Sequence, residues 1–491
     1  MAKGMLALLL AACTVVQAGQ PADVTARSAD GSTPLLLAAY AGDTARVAEL
    51  LKAGADARVA NRYGASPMGE AARRGDTESL RLLLKAGADP ESPNPEGQTA
   101  LMAVARTGNI EAAKVLLSHG AQIDAREQWG GQTALIWAAA QGQPQMIRFL
   151  IGKGANPNAR AVVREWQRRV TAEGRPKDMN RGGFTPLLYA AREGFTDCVR
   201  ELARGGADLN LADPDGTTPL VLALMNGHWD AAKALIDAGA NVNLWDFWGQ
   251  APLYVAIDLN TIQSGGRIEL PTDDKATSLA LIQLLIDKGA DVNQQLKLRP
   301  PFRHAVQDRL SDPMLTTGAT PLLRAAKAGD VPVIKLLLAS HALVDLPNVL
   351  GHTPLMAAAG AGRGNNPTRG RIKTEAQAIE AIRLLKEAGA EVNARAVLGD
   401  TAVHGAAIRG WHEAIKLLAS YGANLDVADK DGMTPIDYAL SRYPPTYLEA
   451  KPLPSEATAA VLKQLGATKE TLDPPKWPPV GVPQITAQVP D

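Results

Sequence analysis

A short motif recurs along the sequence, most often at intervals of 33 residues, and this period restricts the possible fold more than any other feature. The motif is Gly-x-Thr-Pro-Leu or a close variant, and it occurs eleven times. The opening glycines of repeats one to eleven are Gly31, Gly64, Gly97, Gly131, Gly183, Gly216, Gly249, Gly318, Gly351, Gly399 and Gly432. A period of this length indicates supersecondary units that bury their apolar faces by stacking on their neighbours.

Each repeat is predicted to form two short helices after a tight turn. In repeat one, Thr33 suits the N-cap and Pro34 suits the first helical position. Gly42 is expected to end the first helix, and Gly54 has the place of a left-handed C-cap. The second helix has an apolar face formed by Val47, Leu50 and Leu51. In repeat eight His341 replaces the C-cap glycine, so a positive φ is predicted for it.

These repeats resemble the ankyrin repeat family, and the resemblance covers about residues 22–466. It implies an all-α fold, namely a solenoid of about eleven helix–turn–helix repeats with β-turn fingers and several loop insertions. It also implies that fingers and first helices line a concave groove that binds other proteins. We expect the solenoid at residues 22–467 and a Pro-rich, disordered tail at 468–491.

Two insertions of similar length fall in fingers on either side of repeats five to seven. They correspond to residues 160–182 and 294–317. The first has seven basic residues against three acidic ones, and the second has four against two. Long loops in compact domains are frequently functional, so we expect two basic flaps beside the groove, with a purely solvated flap as the alternative. Other insertions separate the two helices of repeats seven, nine and eleven.

Aromatic residues are concentrated in the finger of repeat seven, although the whole chain is only 4% aromatic. The positions that face partners in the family correspond here to that finger and to the end of the first helix. Bulky aromatic and arginine side chains supply much of the binding energy in protein interfaces. The predicted partner-binding residues are Trp129, Trp245, Phe247, Trp248, Gln250, Asp258, Arg192, Arg164, Trp166 and Arg168. In the alternative interpretation Trp245 and Trp248 pack against a flap. Trp137 and Tyr189 are expected in the core.

The sequence has few features of a catalytic or metal site. His412 and Glu413 begin a zincin-like pattern, but Lys416 stands where the second histidine is needed. Cys198 lies on an apolar helix face and is expected to be a buried structural thiol. Basic and acidic residues balance at 51 each, which gives no reason to expect nucleic-acid binding. We therefore expect neither an enzyme, a cofactor nor a bound metal.

The first 18 residues have the pattern of a secretory signal peptide. Lys3 is followed by an apolar run at Met5–Ala12, which is too short to cross a membrane as a helix. Two processing sites remain open: lipidation of Cys13, as in bacterial lipoproteins, or cleavage before Gly19. The chain is thus expected to be exported to the periplasm or anchored in the cell envelope by an N-terminal lipid.

Together these features predict a monomeric, non-enzymatic protein–protein interaction scaffold of the cell envelope. Its partner would bind in the concave groove around repeats four to eight. Two other functions are compatible with the sequence. One is a glycan or small-molecule receptor that uses the Trp-rich finger and basic flaps, and the other is a structural spacer.

Overall fold

The computed structural model describes residues 24–170, 177–261, 273–298, 300, 314–361, 373–443 and 453–471, with the backbone alone at 165–170 and 177–181. The secondary-structure elements of this part of the chain are helices apart from one β-hairpin, which confirms the predicted all-α class. Its contacts divide the chain into two units, residues 1–159 and 160–491. Each unit is a row of helix pairs that stack on their neighbours.

The first unit contains the helix pairs of repeats one to four. Its helices are α1 (Pro34–Ala41), α2 (Thr44–Lys52), α3 (Pro67–Arg74), α4 (Thr77–Lys85), α5 (Ala100–Thr107), α6 (Ile110–Ser118), α7 (Ala134–Ala140) and α8 (Pro144–Gly152). First helices pack on first helices and second helices on second helices, so the apolar core runs through the unit as one continuous layer.

The second unit begins with a β-hairpin and continues with repeats five to eleven. Its elements are β1 (Val163–Val170), β2 (Lys177–Gly182), α9 (Pro186–Glu193), α10 (Thr196–Arg204), α11 (Pro219–Met225), α12 (Trp229–Asp237), α13 (Pro252–Asn260), α14 (Ser278–Asp287), α15 (Pro321–Ala328), α16 (Val331–Ala339), α17 (Pro354–Ala358), α18 (Glu375–Glu387), α19 (Ala402–Arg409), α20 (His412–Ser420), α21 (Pro435–Ala439) and α22 (Glu456–Gln464). The antiparallel hairpin lies in the first finger insertion and was not predicted.

Repeat one shows why the motif folds as it does. The Thr33 hydroxyl accepts a hydrogen bond from the Leu36 backbone N–H and caps α1, as predicted. Gly42 ends the helix with a φ of 76°, and Gly54 has a φ of 91°. On α2, Val47 and Leu50 are buried, but Leu51 is only half-buried, so the apolar face is narrower than expected.

In repeats two, three, four, six, seven, nine and eleven the finger is a turn held by one acidic or amide side chain. In repeat two the Asn61 Oδ1 accepts hydrogen bonds from the backbone N–H groups of Tyr63 and Ala65, both at 3.0 Å. Asp246 does the same in repeat seven. In repeat four the finger has one extra residue, and the longer Glu127 side chain spans it. These bonds explain the Asp or Asn three residues before the finger glycine.

Adjacent repeats are joined by hydrogen bonds between equivalent positions. In the second unit the Asn210 side chain accepts from the Asn241 backbone N–H at 2.9 Å, and Asn243 accepts from Asp291 at 2.7 Å. Asn393 continues the pattern. Because the acceptor occurs once per repeat, it fixes the register between neighbours.

The remaining predictions about local structure can be compared directly. His341 has a φ of 64°, which confirms the expected left-handed conformation. Cys198 is buried, and burial raises the pKa of its thiol to about 12, in agreement with a structural role. The inter-helix insertions of repeats seven, nine and eleven fall between paired helices as expected, but residues 262–272, 362–372 and 444–452 lie outside the described residues.

The predicted ends of the chain are largely untested. Residues 1–23, including Cys13, and 472–491 lie outside the described part. At the start of the predicted tail, the Thr468 and Lys469 backbone N–H groups donate to Asp426 at 2.7 and 2.8 Å.

A buried histidine makes the stability of the last repeats depend on pH. His404 is 1% exposed; its Nδ1 accepts from the Thr401 backbone N–H, and its Nε2 donates to the Met433 carbonyl. This arrangement needs the neutral ring, and burial lowers the pKa of His404 below its ordinary value. In the pH range between the lowered pKa and the ordinary one, the unfolded chain therefore binds more protons than the folded chain.

The first prediction follows from this sign. As the pH falls below about 6.5, the free energy of unfolding should decrease by at most about 1.4 kcal/mol per pH unit from this residue. Urea denaturation at several pH values should show a smaller decrease in His404→Gln than in the native chain. His119→Gln, at an exposed position, is the matched control. An equal decrease in the native chain and the His404 variant would contradict the prediction.

Candidate partner-binding surface

The finger of repeat seven holds two aromatic side chains at the protein surface. The Asp246 carboxylate is 1% exposed and accepts from the Trp248 and Gln250 backbone N–H groups at 3.0 and 2.9 Å. On either side of this fixed turn residue, Trp245 is 46% exposed and Phe247 is 42% exposed. Both side chains are accessible to a partner, as expected from the sequence, and binding itself stays a prediction.

Trp248 does not face a partner, and the expectation that it does is corrected. Its side chain is only 3% exposed, and its ring meets Phe247 edge-on with 5.5 Å between ring centroids. The Trp248 carbonyl accepts from the Lys297 and Leu298 backbone N–H groups at 2.9 and 3.1 Å. Trp248 is therefore a buried residue of the finger, and its backbone carbonyl is bonded to the start of the second finger insertion.

Lys297 adds a positive charge to the exposed part of this finger. Its Nζ lies 5.7 Å from the centroid of the Trp245 ring, in the geometry of a cation–π contact. The residue belongs to the second basic insertion, of which 299 and 301–313 lie outside the described residues. The basic charge of the insertion is predicted from the sequence, whereas the contact between Lys297 and Trp245 is seen only in the structure.

Gln250 and Asp258 are also buried, so their expected contact with a partner is corrected. Gln250 is 5% exposed and Asp258 is 6% exposed. The Asp258 Oδ1 lies 2.5 Å from the Nε of Arg324, a side chain with no exposed surface. A buried carboxylate needs such a partner because desolvation of an unpaired charge is costly. Asp258 is thus a structural residue that joins repeats seven and eight.

The arginines of the predicted set are only partly available. Arg192 is exposed; its guanidinium carbon lies 5.0 Å from the centroid of the Tyr189 ring, and it pairs with Glu193. Arg164 is half-buried on β1. The side chains of Trp166 and Arg168 lie outside the described ones, although the backbone places both residues on the same strand.

The first unit has its own exposed aromatic residues. Trp129 is 69% exposed and accessible, as expected, and Tyr63 and Tyr40 are 75% and 64% exposed. Tyr63 occupies the finger position of Trp248 and was missed, although its place before the finger glycine is a signal that could have identified it. Leu37, on the first helix of repeat one, was also missed and is 49% exposed.

Trp137 and Tyr189 were expected in the core, and this is corrected. Both are half-buried rings with an arginine stacked on one face. The Arg106 guanidinium carbon lies 5.1 Å from the centroid of the Trp137 ring, and Arg192 covers Tyr189. Each pair combines apolar packing with a cation–π contact at the surface.

No cluster of three or more His, Cys, Asp or Glu residues that could hold a metal ion occurs among the residues the structure describes. In the same part of the chain, no helix is both long and apolar enough to cross a membrane.

Comparison with known proteins decides the family. A family profile described as "Ankyrin repeats (3 copies)" matches residues 3–94, 70–161, 170–246, 187–266, 275–366 and 373–448. The chain belongs to the ankyrin repeat family. Ankyrin repeats are in general protein–protein interaction modules, and proteins of the family are typically non-enzymatic scaffolds. The first match begins at residue 3, within the predicted signal peptide.

Several curated ankyrin repeat proteins are similar to parts of the chain. "Ankyrin repeat domain-containing protein 63" of Homo sapiens is 32% identical over 25% of this chain and 30% of its own length. "Putative ankyrin repeat protein YahD" of Escherichia coli (strain K12) is 29% identical over 34% of this chain and 87% of its own. "Putative palmitoyltransferase ZDHHC13" of Danio rerio is 29% identical over 39% of this chain and 31% of its own. The chain thus spans about a third of the human and zebrafish proteins.

A solved structure, the ankyrin repeat domain of Bcl-3, is also similar. It is 23% identical, covers 52% of this chain and 99% of its own, and gives a TM-score of 0.40.

The second prediction tests the structural assignment of Asp258. Asp258→Ala leaves the buried Arg324 without this ion pair, and it should lower the free energy of unfolding by about 3–5 kcal/mol. Asp237→Ala is a matched control, because it removes a carboxylate from an exposed ion pair with Lys233 and should cost less than about 1 kcal/mol. Urea denaturation followed by circular dichroism measures both. Equal losses in the two variants would refute the assignment.

Proposed function

We propose that the protein is a non-enzymatic scaffold that binds a protein partner through the exposed aromatic residues of the repeat-seven finger. The observation that carries the proposal is the pair Trp245 and Phe247, which remain 46% and 42% exposed beside a buried, hydrogen-bonded turn. The general role of ankyrin repeats supports the class of function. The location of the site and the partner's chemistry are our own inference.

The construction of the finger favours binding. Trp248 is buried directly behind Phe247, and Asp246 holds the turn with two backbone hydrogen bonds. A partner would therefore meet side chains whose backbone is already ordered, which reduces the entropy lost on association. Large aromatic side chains in such settings contribute strongly to interfaces.

The surrounding charge favours an acidic partner. Lys297 lies over the Trp245 ring, and both finger insertions are rich in basic residues. Positive charge near an apolar contact accelerates association with acidic surfaces and weakens it with basic ones. The glycan-receptor alternative at this finger is less well supported, since burial of Trp248 leaves a smaller stacking surface than the sequence suggested.

The third prediction tests the surface. Trp245→Ala with Phe247→Ala should weaken capture of a partner from cell-envelope extract at least about tenfold, as expected when hot-spot residues are removed. Val349→Ala with Leu398→Ala is the matched control, because these exposed finger residues belong to repeats nine and ten, outside the proposed site. Both proteins should melt as the native chain does. Equal capture by both would leave a spacer as the better explanation.

Export to the cell envelope is part of the proposal and rests on residues 1–18 alone. The fourth prediction is that the protein purified from its native cells lacks at least residues 1–12. Intact-mass measurement should give either a chain that begins at a lipidated Cys13 or an unmodified chain that begins at Gly19. Cys13→Ser would abolish processing in the first case only. A mature chain that retains residues 1–12 would contradict export by either route.

A further inference from the structure

A cavity with a mixed polar and apolar lining opens beside Tyr63 in the first unit, away from the finger of repeat seven. It lies between repeats two and three and has a volume of about 370 Å³. Its lining includes Tyr63, Ser66, Arg73, Ser92 and Gln98. Small-molecule sites usually occupy roughly 300–1,000 Å³, so this cavity matches a ligand at the lower end of that size range.

The cavity exists because one residue departs from the repeat pattern. Three residues after the N-cap, each of the other ten repeats has a buried side chain, such as Leu36, Met102 and Ile136 in the same unit. Repeat two has Gly69 at this position, on α3. A Cβ built there would approach only the Ser66 hydroxyl, at 3.2 Å. The missing side chain leaves space between repeats two and three that stacking fills elsewhere.

The cavity wall is also a place of backbone strain. Ser92 has a φ of 33°, which is unusual for a residue other than glycine, and it precedes Pro93. Its hydroxyl lies 2.6 Å from that of Ser66, the N-cap of α3. Strained conformations persist where the surrounding structure enforces them, and they are frequent at ligand sites.

The polar groups of the lining suit a neutral ligand that carries hydroxyl groups. Arg73 is held at the edge by an ion pair with the buried Glu70, so its charge is already balanced. In the described structure, the Tyr63 hydroxyl and the Gln98 side-chain amide make no hydrogen bond within the protein. Both groups can donate and accept hydrogen bonds, as sugar hydroxyls do. A ligand with a carboxylate would instead be repelled by Glu96, which also lines the cavity.

We propose that this cavity is a binding site for a single pyranose ring, either as a free sugar or as the end of a glycan. The ring would enter past the exposed Tyr63, and its hydroxyls would bond to the serine, glutamine and arginine groups. This site is independent of the proposed partner-binding finger, since it lies in the other unit and shares no residue with it.

Saturation-transfer NMR on the full chain tests the proposal with D-glucose, D-galactose, D-mannose and N-acetylglucosamine as probes. At least one sugar should give a signal. Gly69→Leu restores the side-chain volume that other repeats have at this position. The variant should keep the melting temperature of the native chain and bind the sugar at least about tenfold more weakly. Gly152→Leu, on α8 with open space around its Cβ, is the matched control and should bind as the native chain does.

Two further variants keep the test decisive if Gly69→Leu fails to fold. Tyr63→Ala and Gln98→Ala change partly or fully exposed side chains, and each should weaken binding of the same sugar. The active sugar and its trisaccharide then separate the two sources, since a glycan end predicts binding of both. L-glutamine and L-glutamate are tested in the same way as ligands of another class. The proposal is overturned if no sugar gives a signal or if only these two amino acids do. It is also overturned if a folded Gly69→Leu variant binds the sugar as tightly as the native chain.

Discussion

The hydrogen bonds that join one repeat to the next are the interaction on which the rest of this structure depends. From repeat seven to repeat eleven, each finger donates a backbone N–H to the carbonyl of the finger before it, as Phe247 does to Asp215 at 2.9 Å. A second series links the loops after the second helices, as in Asn241 to Asn210. Because most of the helices are only about two to three turns long, a single helix could not hold its orientation alone.

This dependence explains why most of the fold could be predicted from the sequence. Caps, turns and buried positions recur in each repeat, so every local choice is supported by many copies of the same evidence. Thr33, Gly42 and His341 all adopt the expected conformations. Even the extra residue in the finger of repeat four is accommodated within the pattern, because Glu127 reaches farther than Asp.

The candidate site was harder to predict because it depends on contacts distant in sequence. Tyr63 and Trp248 occupy the same finger position, yet one is 75% exposed and the other 3%. The finger that follows Trp248 contains the second insertion, whereas the finger that follows Tyr63 has no insertion. Asp258 likewise occupies a partner-facing position of the repeat, but it is buried and paired with Arg324, which lies 66 residues later in the sequence. A repeat register assigns a position to a residue but does not say what covers it.

A residue that departs from the repeat pattern therefore needs a specific structural or functional explanation, whereas a residue that follows the pattern does not. Arg324 and Gly69 lie one position apart in register, on the first helices of repeats eight and two. Arg324 places a charge in the stacked layer, and its ion pair with Asp258 offsets the cost of desolvation. Gly69 removes a side chain, and nothing in the described neighbourhood refills the space. A stacked fold readily gains stability from an apolar side chain at such a position, so an unfilled cavity whose lining includes several hydroxyl groups is better explained by a ligand than by packing.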